Sequence, residues 1–125
     1  MQLTVKAGME NFNITTLGGG IRSLNGILGL DLSVLKDLTD GFYFEGSIFL
    51  VIPAGDILPY GGLTKKFDLS NTANIFNFSV DLYGTIGLEV KLSNIGVFGE
   101  VMYDINAPIN IMNPSKISVG IAFDF

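Results

Sequence analysis

The chain has no cysteine, no histidine and no tryptophan among its 125 residues. Without thiols it can form neither a disulfide nor a thiolate nucleophile. Without imidazole it lacks the side chain that most often serves as general base near neutral pH. Charge is scarce as well: Asp, Glu, Lys and Arg make up 15% of the residues, against roughly 25% in an average soluble domain. That is too little to cover a water-facing surface. Yet no stretch approaches the roughly 20 successive apolar residues of a spanning helix. The net charge of −5 leaves no basic stripe for the phosphates of a nucleic acid, so a nucleic-acid partner is not expected. The opening Met1-Gln2-Leu3-Thr4 lacks the basic-then-apolar start of a signal peptide, which makes the mature form of an exported protein, or a fragment, the expectation.

What the chain does contain is 48% hydrophobic residues, 16 Gly and 10 Phe, and it arranges them with period two. In "IFNFSVDLYGTIGLEVKL" one face reads Phe76, Phe78, Val80, Leu82, Gly84, Ile86, Leu88, Val90 and Leu92, and the other Asn77, Ser79, Asp81, Tyr83, Thr85, Gly87, Glu89 and Lys91. A helix would scatter those apolar positions around its circumference; a strand collects them on one side. The same alternation sets Leu3, Val5, Ala7 and Met9 against Gln2, Thr4, Lys6 and Glu10, and Leu28, Leu30, Leu32 and Val34 against Gly29, Asp31 and Ser33. It sets Phe42, Phe44, Ile48, Leu50 and Ile52 against Tyr43, Glu45 and Ser47. Val97, Val101, Tyr103 and Ile105 stand opposite Phe98, Glu100, Met102 and Asp104, a less clean pattern. The last residues repeat it, with Ile117, Val119, Ile121, Phe123 and Phe125 against Ser118, Gly120, Ala122 and Asp124.

Turn-forming residues separate these runs: "SLNG" at 23–26, "TDG" at 39–41, "SNTAN" at 70–74, "SNIG" at 93–96 and "NAPINIMNPS" at 106–115. Strands are predicted near 2–11, 14–22, 26–37, 41–53, 62–70, 74–92, 95–106 and 115–125. The fifth is the weakest, because Lys65 would sit on the outer face near an end. The expected fold is all-β, one domain over 1–125 forming an antiparallel transmembrane up-and-down β-barrel of eight strands.

Alternation alone suits a soluble barrel too. The uniform face decides: on nearly every strand it is large and aliphatic or aromatic, while the other face mixes Gly, Ser, Thr, Asn and the acids. With the aliphatic face in lipid, the polar face satisfies itself in a narrow lumen. Phe12, Phe42, Phe44, Phe76, Phe78, Tyr103, Phe123 and Phe125 fall toward strand ends, where a barrel carries its aromatic girdles. The expected lumen charges are Lys6, Glu10, Asp31, Glu45, Asp81, Glu89, Lys91, Glu100, Lys116 and Asp124, with Arg22 a further candidate. An eight-stranded barrel is only wide enough for side chains to fill it, so these charges read first as a salt-bridged plug and second as a narrow, cation-preferring path for small solutes.

Other signals are weaker. "GGG" at 18–20 is followed by "IRSLNG" and no helix start, so it fails as a nucleotide loop and reads as a strand bend. "DLTDG" at 37–41 lacks the spaced ligands of a calcium loop. "PAGDILPYGG" at 53–62 is the longest irregular stretch besides 106–115, and both are candidate contact loops. No catalytic residue, metal ligand or cofactor site emerges, and no enzymatic activity is expected.

The terminal "SVGIAFDF" resembles the C-terminal assembly signal of bacterial outer-membrane proteins: Ser118, Gly120 two places on, then Phe123 and Phe125. The last three strands, "LYGTIGLEVKLSNIGVFGEVMYDI" onward, are similar to small outer-membrane barrels of the outer-membrane protein A and X type. The resemblance implies residence in the bacterial outer membrane, a lipid bilayer as surroundings, and recognition of the last strand by the barrel-assembly machinery. It also implies that both termini face the periplasm and that turns near 11–13, 38–40, 71–73 and 107–114 face outward. Those turns are short where adhesins carry long loops, which favours a role in envelope structure or interaction. Two readings compete: a soluble β-barrel enclosing an apolar ligand, and a subunit of one barrel shared among several chains.

Overall fold

In the computed structural model, residues 1–11, 13–39, 41–68, 81–107 and 113–125 are described. They form eight strands: β1 (Gln2–Glu10), β2 (Asn13–Asn25), β3 (Leu28–Asp37), β4 (Phe42–Val51), β5 (Ile57–Asp68), β6 (Leu82–Leu92), β7 (Ile95–Asp104) and β8 (Lys116–Asp124). Each pairs antiparallel with the next, and β1 also pairs with β8, closing the barrel within one chain. The chain therefore needs no second copy to complete its sheet, which removes the shared-barrel reading. Closure explains why the sequence ends on an apolar strand: Gln2 stands opposite Asp124, and the Phe125 N–H donates to the Met1 carbonyl at 3.1 Å.

Register follows from the alternation, since a slip of one residue would turn every leucine inward. On β3 the odd-even pattern is complete, with Leu28, Leu30, Leu32 and Val34 exposed and Gly29, Asp31, Ser33 and Leu35 buried. The hairpin between β2 and β3 turns on two residues, Gly26 and Ile27, and Gly26 has a φ of 69°. Glycine at the first loop position is what a tight turn matched to strand twist requires. The hairpin between β6 and β7 uses Ser93 and Asn94 in the same way, holding Ser93 at a φ of 65° without glycine's freedom.

Three boundaries differ from expectation. β2 runs on to Asn25, three residues past 22, because Ser23 and Leu24 pair with Leu30 and Gly29 and leave the turn to Gly26. β5 begins at Ile57, so 57–62, expected as irregular, belongs to a strand in spite of Pro59. Pro59 lies one place past the last β4–β5 pair, Val51 with Tyr60, and faces Leu88 of β6. Only its carbonyl is used toward β4, accepting from the Ile52 N–H at 2.9 Å, so its missing N–H costs no ladder bond there. β6 is described from Leu82; its expected start at 74, the turn at 71–73, and Phe12, Phe76 and Phe78 lie outside the described residues.

Both termini and the turns at 26–27, 52–56 and 93–94 lie at one end of the barrel; the strand ends Glu10, Asp37, Asp68 and Asp104 lie at the opposite, loop end. The interior is layered. At the terminal end Leu24, Phe49, Val51, Leu58 and Tyr60 pack into an apolar cluster. The charges occupy the layers beyond it.

Candidate functional site: the enclosed charge network

Arg22 lies at the centre of the lumen with a relative exposure of 1%. Its place on the inner face of β2 is set by pairing with Gln2 on one side and Asp31 on the other. Three carboxylates from three other strands converge on its guanidinium. Nε donates to Asp31 Oδ2 at 2.7 Å, Nη2 donates to Glu100 Oε1, and Nη1 lies 3.6 Å from Glu89 Oε1. Nη1 also donates to the Tyr60 hydroxyl at 3.1 Å, and that hydroxyl donates in turn to Glu100 Oε1 at 2.7 Å. Asp31 accepts further bonds from Lys6 Nζ at 3.1 Å and from the Ser33 hydroxyl at 2.6 Å, and Glu89 accepts from the Gln2 amide at 3.0 Å. Buried ions persist only when paired and hydrogen-bonded in this way. The guanidinium fills the space between these acids with its own positive charge, and no group of three or more side chains that could hold a metal ion occurs among the described residues.

Aromatic rings complete the site. The Arg22 guanidinium stacks 3.9 Å from the centroid of the Phe98 ring, and the Tyr60 ring lies 5.3 Å away. Both rings lie close against glycines. A Cβ at Gly87 would stand 2.5 Å from the Tyr60 ring, and one at Gly120 would collide with both Phe98 and the Val5 carbonyl. These glycines are recesses in the wall that let rings tilt across the lumen and close on the arginine.

A second cluster lies toward the loop end. Lys116 Nζ donates to Glu45 Oε2 at 2.8 Å and to the Tyr43 hydroxyl at 2.9 Å. Between the clusters the hydroxyls of Ser47, Thr64 and Thr85 form a chain of 2.8 Å contacts across β4, β5 and β6. Leu35 and Met102, both fully buried, fill space beside it.

Of the residues expected inside, Lys6, Asp31, Glu45, Glu89, Glu100 and Lys116 are buried and joined in these two networks, and Arg22 is the hub of the first. Four expectations need correction. Glu10 and Asp124 are exposed, because each ends its strand at the rim, where an inward position opens to solvent. Asp81 is half-buried just before β6, with a φ of 54°, and so belongs to the connection. Lys91 is half-buried near the turn at 93–94, outside both clusters. Ser118 is buried and Gly120 lies under Phe98, while Phe123 and Phe125 are exposed.

Sequence reasoning missed Gln2, Tyr43 and Tyr60 as network members. Gln2 and Tyr43 are on the polar face by alternation alone. Tyr60 fell in the stretch read as irregular, and only its pairing with Val51 and Gly87 brings it in.

No family model matches this sequence, and no curated protein does. The chain is similar to the solution NMR structure of the de novo designed protein TMB2.3. The match covers 99% of this chain and 92% of that one, with a TM-score of 0.66 at 17% sequence identity. The likeness is one of fold. It supports a closed eight-stranded antiparallel barrel and carries no residue roles across.

Proposed function

We propose that this chain is a non-catalytic transmembrane barrel whose lumen is closed, resident in the bacterial outer membrane in a structural or interaction role. One observation carries the reading. Leu50, Ile86 and Leu30 stand 70%, 62% and 51% exposed, while Glu89, Arg22 and Glu45 are 0%, 1% and 2% exposed. A soluble protein rarely shows an apolar surface that surrounds it entirely; in acyl chains that same surface is solvated and the enclosed ions are paired with one another. Strands of 9 to 13 residues also match the roughly 9–11 that a tilted strand needs to cross a bilayer. The soluble barrel holding an apolar ligand would need the opposite orientation.

The outer-membrane location rests on the resemblance of Ser118, Gly120, Phe123 and Phe125 to the assembly signal. The absence of catalysis is supported by a lumen whose carboxylates are engaged by Arg22, Lys6 and Lys116 and by a sequence without histidine. Closure is supported by Phe49, Phe98, Leu35, Met102 and Arg22, all buried within the lumen.

Refolded protein is expected to float with phospholipid vesicles and to migrate differently on gels before and after boiling. Protein that stays in solution without detergent and does not float would overturn the reading. In planar bilayers no conductance steps are expected, and reproducible cation-selective steps would replace the plug by a pore.

A further inference from the structure

The apolar wall has a definite height. On β3 the outward residues Leu28, Leu30, Leu32 and Val34 are exposed, and the next outward position, Lys36, is exposed and charged. On β7 the outward run goes from Ile95 to the half-buried Tyr103, with Asp104 directly after it. On β8 it goes from Ile117 to Phe125. All three spans are eight residue steps long. Aromatic rings mark both limits, as they do where acyl chains give way to headgroups. Phe42, opposite Lys36, and Tyr103 stand at the loop end, and Phe123 and Phe125 at the terminal end.

Strand pairing converts those steps into a height. Following partners around the barrel from Met9 through β8 and each strand in turn ends at Asn25 on β2. Asn25 lies three residues beyond Arg22, the partner of Gln2, so one circuit staggers the sheet by about ten residues, which tilts eight strands by about 40°. At a rise of about 3.3 Å per residue and that tilt, eight steps climb about 20 Å along the barrel axis. The apolar band of an outer-membrane barrel is about 25 Å tall, and an average hydrocarbon core is about 30 Å thick. A thicker core would press acyl chains against Lys36 at one end and against the turn at Ser93 and Asn94 at the other, whose polar groups need water.

We infer that the outer face fits a bilayer whose hydrocarbon core is about 20 Å thick, so that the barrel favours short-chain phospholipid and thins longer-chain lipid around itself. The inference rests on the membrane reading above and names the lipid partner by the length of its chains, not by its headgroup. A wall taller than the core is accommodated by tilting, but a wall shorter than the core is not. The lipid must then thin against it, and the cost grows with each ångström of mismatch.

The test is equilibrium guanidinium chloride unfolding of the full chain in vesicles of didodecanoyl-, ditetradecanoyl- and dioleoyl-phosphatidylcholine, approached from both the folded and the unfolded side. The folded-to-unfolded ratio at one denaturant concentration is expected to fall in that order, by at least about tenfold from first to last. Lys36→Leu raises the limit of the wall on β3 and should narrow the fall. Val34→Lys lowers that limit by one outward position and should widen it. A ratio level across the three lipids or greatest in dioleoyl-phosphatidylcholine, or a fall unchanged in both variants, would overturn the inference. Vesicle flotation reports on the membrane reading separately. Protein that floats with all three vesicles without preference loses only the fit to a thin core, and protein that floats with none loses both.

Discussion

Replacing Arg22 by Met tests whether the lumen network is a single unit held by its guanidinium. Methionine preserves much of the volume and the contact with Phe98 while removing the charge. Asp31 would keep Lys6 and Ser33, and Glu89 would keep Gln2. Glu100 would keep only the Tyr60 hydroxyl, and that hydroxyl would lose the Arg22 donor. Removing one partner of a buried ion pair costs about 3–5 kcal/mol, because a charge is left behind without compensation. Arg22 serves three carboxylates, which places the expected loss at the upper end of that range. Guanidinium chloride unfolding of the protein in lipid vesicles, followed by tyrosine fluorescence in this tryptophan-free chain and by band shift on gels, measures it. The double variant Arg22→Met with Glu100→Gln removes a stranded charge that would keep only the Tyr60 hydroxyl. It should recover part of the loss, with a coupling of about 1–3 kcal/mol. A loss below about 1 kcal/mol in the single variant, or no recovery in the double, would refute the view that Arg22 organises the interior.

Other substitutions probe the wall. Gly87→Ala should cost about 1–3 kcal/mol by pushing the Tyr60 ring off the wall, and in a Tyr60→Ala background, read by the same unfolding assay, that cost should vanish. Leu32→Arg, at the middle of β3 on the outer face, should destabilise the barrel by about 2–4 kcal/mol in vesicles, whereas the same change at Leu28, near the terminal rim, should cost about 1 kcal/mol or less. Ser93→Gly relieves a left-handed residue in a tight turn and should stabilise by about 1 kcal/mol; unchanged or lower stability would show that the turn is not strained.

The count and kind of strands were readable because side-chain alternation is a local property. Each run of apolar residues at i, i+2, i+4 states its own face without reference to any other part of the chain. The same signal separated Lys6, Asp31, Glu45, Glu89 and Glu100 from the leucines beside them, so the membership of the interior was legible to that extent. It failed where alternation does not measure depth. Glu10 and Asp124 have the inward parity but stand at the rim. It failed also where proline and glycine suggested a loop, because Pro59 needs only its carbonyl at the point where the β4 ladder ends.

The sequence by itself determined that this would be a sheet protein with one apolar and one polar face, that the apolar face is uniform, and that neither thiol nor imidazole chemistry is open to it. Tertiary structure alone decided which charges meet. Arg22 and Asp31 face each other across one hairpin, Glu89 and Glu100 lie on another far along the chain, and nothing local to either hairpin indicates the other. Closure of β8 onto β1 and the stagger of eight registers bring them to one level of the lumen, and the recesses at Gly87 and Gly120 admit the rings that seal it. Pairing across a closed sheet is a global constraint, and it is satisfied only once every strand has taken its place.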